Sequence, residues 1–199
     1  MNLRLFVALL PPEPVQRRLA ALQGALRDSA GAHADGIRWT PAERIHLTLQ
    51  FLGAVPEERL PEVQAAVRGA AASSRPLRLL VRGTGGFPSS RRARVVWAGV
   101  EDDAGGLAAV VRGLGHGLSP LGFPPDGRPF SPHLTLGRSR DARGARGVGG
   151  ALASASAELE PVAWRADALV LFRSTLGPGG ARHEELVRAP LGPSGPRGA

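Results

Sequence analysis

The apolar positions come in two rhythms. Leu3–Leu10 is an apolar, strand-like run, and Pro11 and Pro12 end it because neither can donate a ladder hydrogen bond. Val15, Leu19, Leu22 and Leu26 then recur at helical spacing with Arg and Gln between them, which predicts a helix over 13–30. GAHADG (31–36) reads as a loop and IRW (37–39) as a short strand. TPAE (40–43) has the form of a capping box: Thr40 at the N-cap, Pro41 at the first helical position and Glu43 three residues on. It predicts one helical turn that delivers the chain to a strand at Ile45–Leu52, ended by Gly53.

A second helix is expected over 56–73, interrupted or begun afresh near Pro61. Strands follow at 76–87 and 94–100 with the basic loop PSSRRARV between them. A helical pattern weakened by glycines runs over 104–122, and an Asp126-Gly127 turn marks the loop 123–132 before a strand that starts at His133. Residues 138–150 are Arg, Gly and Ala without period. A short helix (151–158) and two strands (167–175 and 181–191) about the Pro-Gly-Gly of LGPGG complete the pattern, the last two as a hairpin. Strands joined by tight turns with helices between them predict an α+β fold of largely antiparallel sheet with outer helices. The folded domain is expected to span 1–190, with 191–199 a disordered tail.

Composition changes this picture little. The chain has 199 residues, 43% hydrophobic and 21% charged, enough for one domain with a real core. A net charge of +8 favours anionic partners such as nucleic acid, phosphate compounds or an acidic membrane face. All basic residues are Arg, however, and Arg-rich coding alone would give the same charge. The absence of Cys excludes disulfides and thiolate metal sites. No apolar run approaches the ~20 residues of a membrane span, and the first apolar run is too short for a signal peptide, so a cytoplasmic protein is expected.

The chemistry lies in one tetrapeptide written twice. HLTL occurs at 46–49 and again at 133–136, in a chain with five His. Side chains alternate faces along a strand, so His46 and Thr48 share one face while Leu47 and Leu49 bury on the other; His133 and Thr135 stand likewise over Leu134 and Leu136. One such motif is an ordinary amphipathic strand. Two, one in each half, hint at similar lobes that face each other across a cleft. Paired imidazoles suit phosphoryl transfer, one taking a proton from water while the other gives one to the leaving oxygen. The Thr hydroxyls can donate to non-bridging oxygens. A His/His zinc site would need a third ligand, and nothing in the sequence brings His33, His116 or His183 to the pair.

At these residues the sequence resembles the two-histidine (2H) phosphoesterases, and most closely their RNA 2′,3′-cyclic phosphodiesterase branch, once called 2′-5′ RNA ligase (LigT- or ThpR-like). LRLFVALLPP, IRWTPAERIHLTLQFLG, GFPSSRRARVVWAGV, LGFPPDGRPFSPHLTLGR and LFRSTLGPGGARHEEL carry the resemblance over nearly the whole chain. It implies a single bilobal α+β domain of two pseudo-symmetric, mainly antiparallel sheets about a central groove. It also implies hydrolysis of an RNA 2′,3′-cyclic phosphate end, tRNA fragments included, to a 2′-phosphomonoester by a monomer that needs no cofactor and no metal. His46 would be the proton donor to the departing 3′ oxygen and His133 the acceptor from water, although the near-symmetry leaves the reverse assignment physically open. Thr48 and Thr135 would grip the phosphate.

Arg138 falls on the opposite face by strict alternation, but a twist at the strand end would return it to the phosphate. Phe130 reads as a base-stacking or a core residue, as does Trp39, and Phe51 reads as core because it shares the parity of Leu49. Arg91, Arg92 and Arg94 form a basic loop, solvated or steering RNA. The competing functions are the same chemistry on small cyclic nucleotides or 2′-5′ oligonucleotides, and an RNA-binding module without turnover.

Overall fold

The computed structural model describes residues 1–102, 104–141, 147–158, 160–177 and 180–192. The tail beyond 192, the centre of the Arg/Gly segment (142–146) and the Pro178-Gly179 step of the expected hairpin turn lie outside the described residues.

Nine strands form the sheet: β1 (Asn2–Leu9), β2 (Ile37–Trp39), β3 (Leu47–Pro56), β4 (Leu77–Phe87), β5 (Val95–Asp102), β6 (His133–Ser139), β7 (Val162–Ala166), β8 (Ala168–Gly177) and β9 (Gly180–Pro190). Among the described residues four α-helices accompany them: α1 (Glu13–Ala30), α2 (Leu60–Ala72), α3 (Gly106–Leu118) and α4 (Gly149–Glu158). Their order is β7-β4-β5-β6-β3-β1-β8-β9, with β2 added on β6, and every pairing is antiparallel. Read outward from the centre, β6-β5-β4-β7 and β3-β1-β8-β9 are two four-stranded wings, the pseudo-symmetric halves that the repeated tetrapeptide implied. The wings are continuous with each other. Their seam is a single registered pair, Leu47 opposite Leu134.

Both leucines are fully buried. They belong to one contiguous core in which α2 packs on α3, β8 and β9, while α1 packs on α4 and β7. A separate small apolar cluster, Phe6, Ala8, Val170 and Phe172, lies outside this core between β1 and β8. No helix among the described residues is long and apolar enough to cross a membrane.

Several local expectations are corrected. The turn before β3 forms as a 3₁₀ turn at Ala42–Arg44, but no side chain caps it, so the capping box of Thr40 does not close. Thr40 is held by its backbone instead: its N–H donates to the Leu136 carbonyl, and its own carbonyl accepts from Gln23 Nε2 at 2.7 Å. Gly53 does not end β3. At φ +71° it adopts the left-handed conformation that a β-bulge asks of glycine, and the strand continues to Pro56. Strand β7 has no counterpart in the sequence pattern; it has five residues, and its edge position beside β4 defines it.

Candidate active site

The site is built on the seam. Leu47 opposes Leu134, so by antiparallel register His46 lies across from Thr135 and Thr48 across from His133. With ladder spacing, the Cα atoms of these four residues mark a rectangle roughly 5 Å wide across the strands and roughly 7 Å long along them, with the two His on one diagonal. Burial alternates as the sequence predicts: Leu47, Leu134 and Leu136 are fully buried, while the His and Thr are half-buried on the other face.

The two imidazoles are pinned identically. His46 Nδ1 is 2.8 Å from the Arg44 carbonyl, and His133 Nδ1 is 2.8 Å from the Ser131 carbonyl. A carbonyl only accepts, so each Nδ1 carries a proton, and each neutral ring presents Nε2 as its free acceptor. In each case the partner is the carbonyl two residues earlier, just ahead of the strand, so the same local contact sets both ring orientations.

Their surroundings differ. The His46 ring stacks on Phe6 (centroids 4.9 Å apart, planes at 28°) and meets His183 edge-on at 5.3 Å. Phe172 completes this apolar wall, stacked on Phe6 at 5.2 Å. His133 meets Phe87 edge-on at 5.0 Å, and Phe87 in turn contacts Trp97, which pairs across from Thr135. The Trp97 ring lies flat on Gly85, where a Cβ would come within 2.3 Å of it, so only glycine fits beneath that ring.

Burial pushes His46 down from 6.5 to about 4. The hydrogen bond to the Arg44 carbonyl opposes this shift, while the positive charges of His183, Arg138 and His133 add to it. His183 is also held below the usual histidine value, first by burial and then by the Arg44 guanidinium. Of these neighbours His183 is in ring contact with His46, and the charges of Arg138 and His133 reach it from farther off.

The position of Arg138 has a specific cause. Val96 pairs with Gly137 but Trp97 pairs with Thr135, so Leu136 is an extra residue, a β-bulge, and both Leu136 and Gly137 are buried. One extra residue inverts the parity, and the exposed Arg138 returns to the face of His133 and Thr135. Gln23, buried in α1, donates from Nε2 to the Leu136 carbonyl at 2.8 Å and ties the bulge to the segment that precedes His46. A matching bulge sits in β3, where Thr48 pairs with Ala8 and Gln50 with Val7, leaving Leu49 extra. It brings Phe51, which strict alternation assigns to the core, onto the site face beside Phe6, 69% exposed. The two bulges thus put Arg138 and Phe51 at equivalent places, three residues past each Thr.

His183, which nothing in the sequence brought to the pair, belongs to the site, and so do Phe6, Phe87 and Phe172. No local signal marks them, because their proximity depends on the order of strands in the sheet. Phe130 is 38% exposed in the segment leading to β6. Trp39 is elsewhere: it packs against the core under the Arg27 guanidinium, 4.9 Å from its ring. Arg91 and Arg92 lie exposed on the 3₁₀ turn Ser90–Arg92.

The family model described as LigT like Phosphoesterase matches residues 9–97 and 99–183, each segment containing one His-x-Thr pair. The chain belongs to the LigT-like phosphoesterases. Among relatives, it is 32% identical over 189 residues to the RNA 2′,3′-cyclic phosphodiesterase of Methanothermobacter thermautotrophicus, covering 94% of this chain and 97% of that protein. It is 34% identical over 201 residues to the Thermus thermophilus protein of the same name, covering 95% and 90%. Among solved structures, TT0787 of Thermus thermophilus superimposes with a TM-score of 0.77 at 31% identity over 96% of this chain and all of that one. Escherichia coli LigT complexed with 3′-AMP shares the fold at a TM-score of 0.72 and 24% identity, covering 96% and 99%. The seam of this LigT-like phosphoesterase therefore carries both family segments at its centre.

Proposed function

We propose that the chain hydrolyses the 2′,3′-cyclic phosphate at an RNA end to a 2′-phosphomonoester, with two histidines as acid and base and no metal ion. Water attacks phosphorus opposite the 3′ oxygen as His133 Nε2 takes its proton. The P–O3′ bond breaks, and the departing oxygen receives a proton from Nε2 of His46, which acts here as the imidazolium, with Nδ1–H still on the Arg44 carbonyl. Thr48, Thr135 and Arg138 hold the non-bridging oxygens, where charge sits in the transition state. One observation carries this reading: both Nδ1 atoms are committed to backbone carbonyls, which leaves two Nε2 atoms on one diagonal of the seam with Arg138 turned onto the same face. The names of the relatives support the choice of substrate.

The deciding experiment uses an RNA that ends in 2′,3′-cyclic phosphate, in the presence of EDTA, with the product phosphate assigned to the 2′ or 3′ oxygen. A 2′-phosphomonoester formed at undiminished rate is expected. A 3′ product would exchange the roles of the two walls, and loss of turnover restored by a divalent ion would replace the mechanism.

The pH profile gives a second expectation. Catalysis needs one proton on the imidazole pair, and above about pH 4 the form that carries it on Nε2 of His46 is a minor one. As pH falls through the His46 value of about 4, the pair takes up its second proton and no acceptor remains. The acid limb of kcat/KM is therefore expected near pH 4. A limb near the ordinary 6.5 would show that burial against Phe6 does not act on the ring that turns over substrate.

A further inference from the structure

An open pocket of about 360 Å³ has the His46 ring in its wall. Leu10, Phe172 and His183 form its buried and half-buried lining, and Arg44, Arg182 and Glu43 its exposed lining. Neither guanidinium makes an ion pair with a carboxylate among the described residues, Glu43 included. His183 Nδ1 is buried with no hydrogen-bond partner among them. Two unpaired Arg and a His thus gather next to a catalytic imidazole. Around His133 the ring neighbours are Phe87 and, beyond it, Trp97.

We infer that this pocket is a second phosphate subsite, which takes the 5′-phosphodiester of the terminal nucleotide and thereby selects an RNA end over a free nucleoside cyclic phosphate. The inference rests on the proposed function. In-line attack puts the ribose opposite the water, on the wall that protonates the 3′ oxygen. That wall is His46. The 5′ phosphate of the same ribose lies one sugar farther out in the same direction, which is where Arg44 and Arg182 stand. A guanidinium suits a phosphodiester, because its planar fork donates two hydrogen bonds and keeps its charge at any working pH. Glu43 is the single carboxylate on the rim and leaves the pocket net positive. The scissile phosphate has its own seat at Thr48, Thr135 and Arg138, so the two anions do not compete.

The test compares two substrates: adenosine 2′,3′-cyclic phosphate, and the same compound carrying a 5′-(methyl phosphate) ester, which adds the diester charge without a second nucleoside. The wild type is expected to prefer the 5′-esterified compound about tenfold in kcat/KM, the scale of one charge-assisted hydrogen bond. In Arg182→Ala the ratio of the two kcat/KM values is expected to fall to near one, in Arg182→Glu below one, and in Arg182→Lys to recover in part. Arg182 is exposed on β9, so these variants keep the fold. Equal kcat/KM for both compounds in the wild type, or a preference that survives in Arg182→Ala and Arg182→Glu, overturns the subsite and leaves the proposed reaction standing. No turnover of either compound overturns both.

Discussion

Alanine at His46 or at His133 is expected to lower kcat on an RNA cyclic phosphate by ~10²–10⁴-fold each, the usual contribution of a positioned acid or base. The two act on one in-line displacement, so the double variant should be scarcely slower than the worse single one. The rings make unequal packing contacts, and this helps to separate chemistry from folding. His133 touches Phe87 edge-on and is half-buried, so His133→Ala should unfold at nearly the wild-type denaturant concentration while losing turnover. His46 is stacked on Phe6 and wedged against His183, so His46→Ala leaves a gap there. His46→Gln fills most of that gap, cannot transfer the proton and should be equally slow. A variant at either position that keeps more than about a tenth of wild-type turnover would remove that ring from the acid–base pair.

How much of this was legible in the chain depends on the range of the interaction. The burial of Leu47 and Leu134 under a half-buried His and Thr follows from alternation within a few residues, and the repeat at 133 announced the second copy. The helix over 13–30 and the fresh start at Pro61 followed from local rules as well. What failed was parity past the motifs. A bulge is invisible in a single strand because it exists only relative to a partner, so Phe51 was assigned to the core and Arg138 needed an unspecified twist. Gln23 misled in the opposite sense. It reads as part of a polar helix face, yet it is buried and spends both donors of its amide on the carbonyls of Thr40 and Leu136. His183 was hidden for a topological reason: β9 reaches His46 through β8 and β1, and no spacing along the chain records that order.

Acid should cost this protein stability in a window set by His46. In the fold the ring is held to about 4, against 6.5 for an ordinary histidine, because burial on Phe6 and three positive neighbours disfavour its charged form. Between those values the unfolded chain binds a proton that the folded chain refuses, so stability rises with pH across the window. The contribution is fully present above about 6.5, falls as pH drops below it, and is exhausted once pH passes through about 4. The span corresponds to up to about 3 kcal/mol, enough to be a large fraction of the net stability of a domain this size. His183, depressed for the same first reason, titrates in the same direction. Urea unfolding of the wild type and of His46→Gln at pH 7 and at pH 4 isolates the effect, because the carboxylates common to both proteins cancel. The wild type should lose up to about 3 kcal/mol more than the variant between those pH values. Parallel losses would mean that the His46 ring is solvated in the free protein, and the acid limb expected near pH 4 would then return toward 6.5 with it.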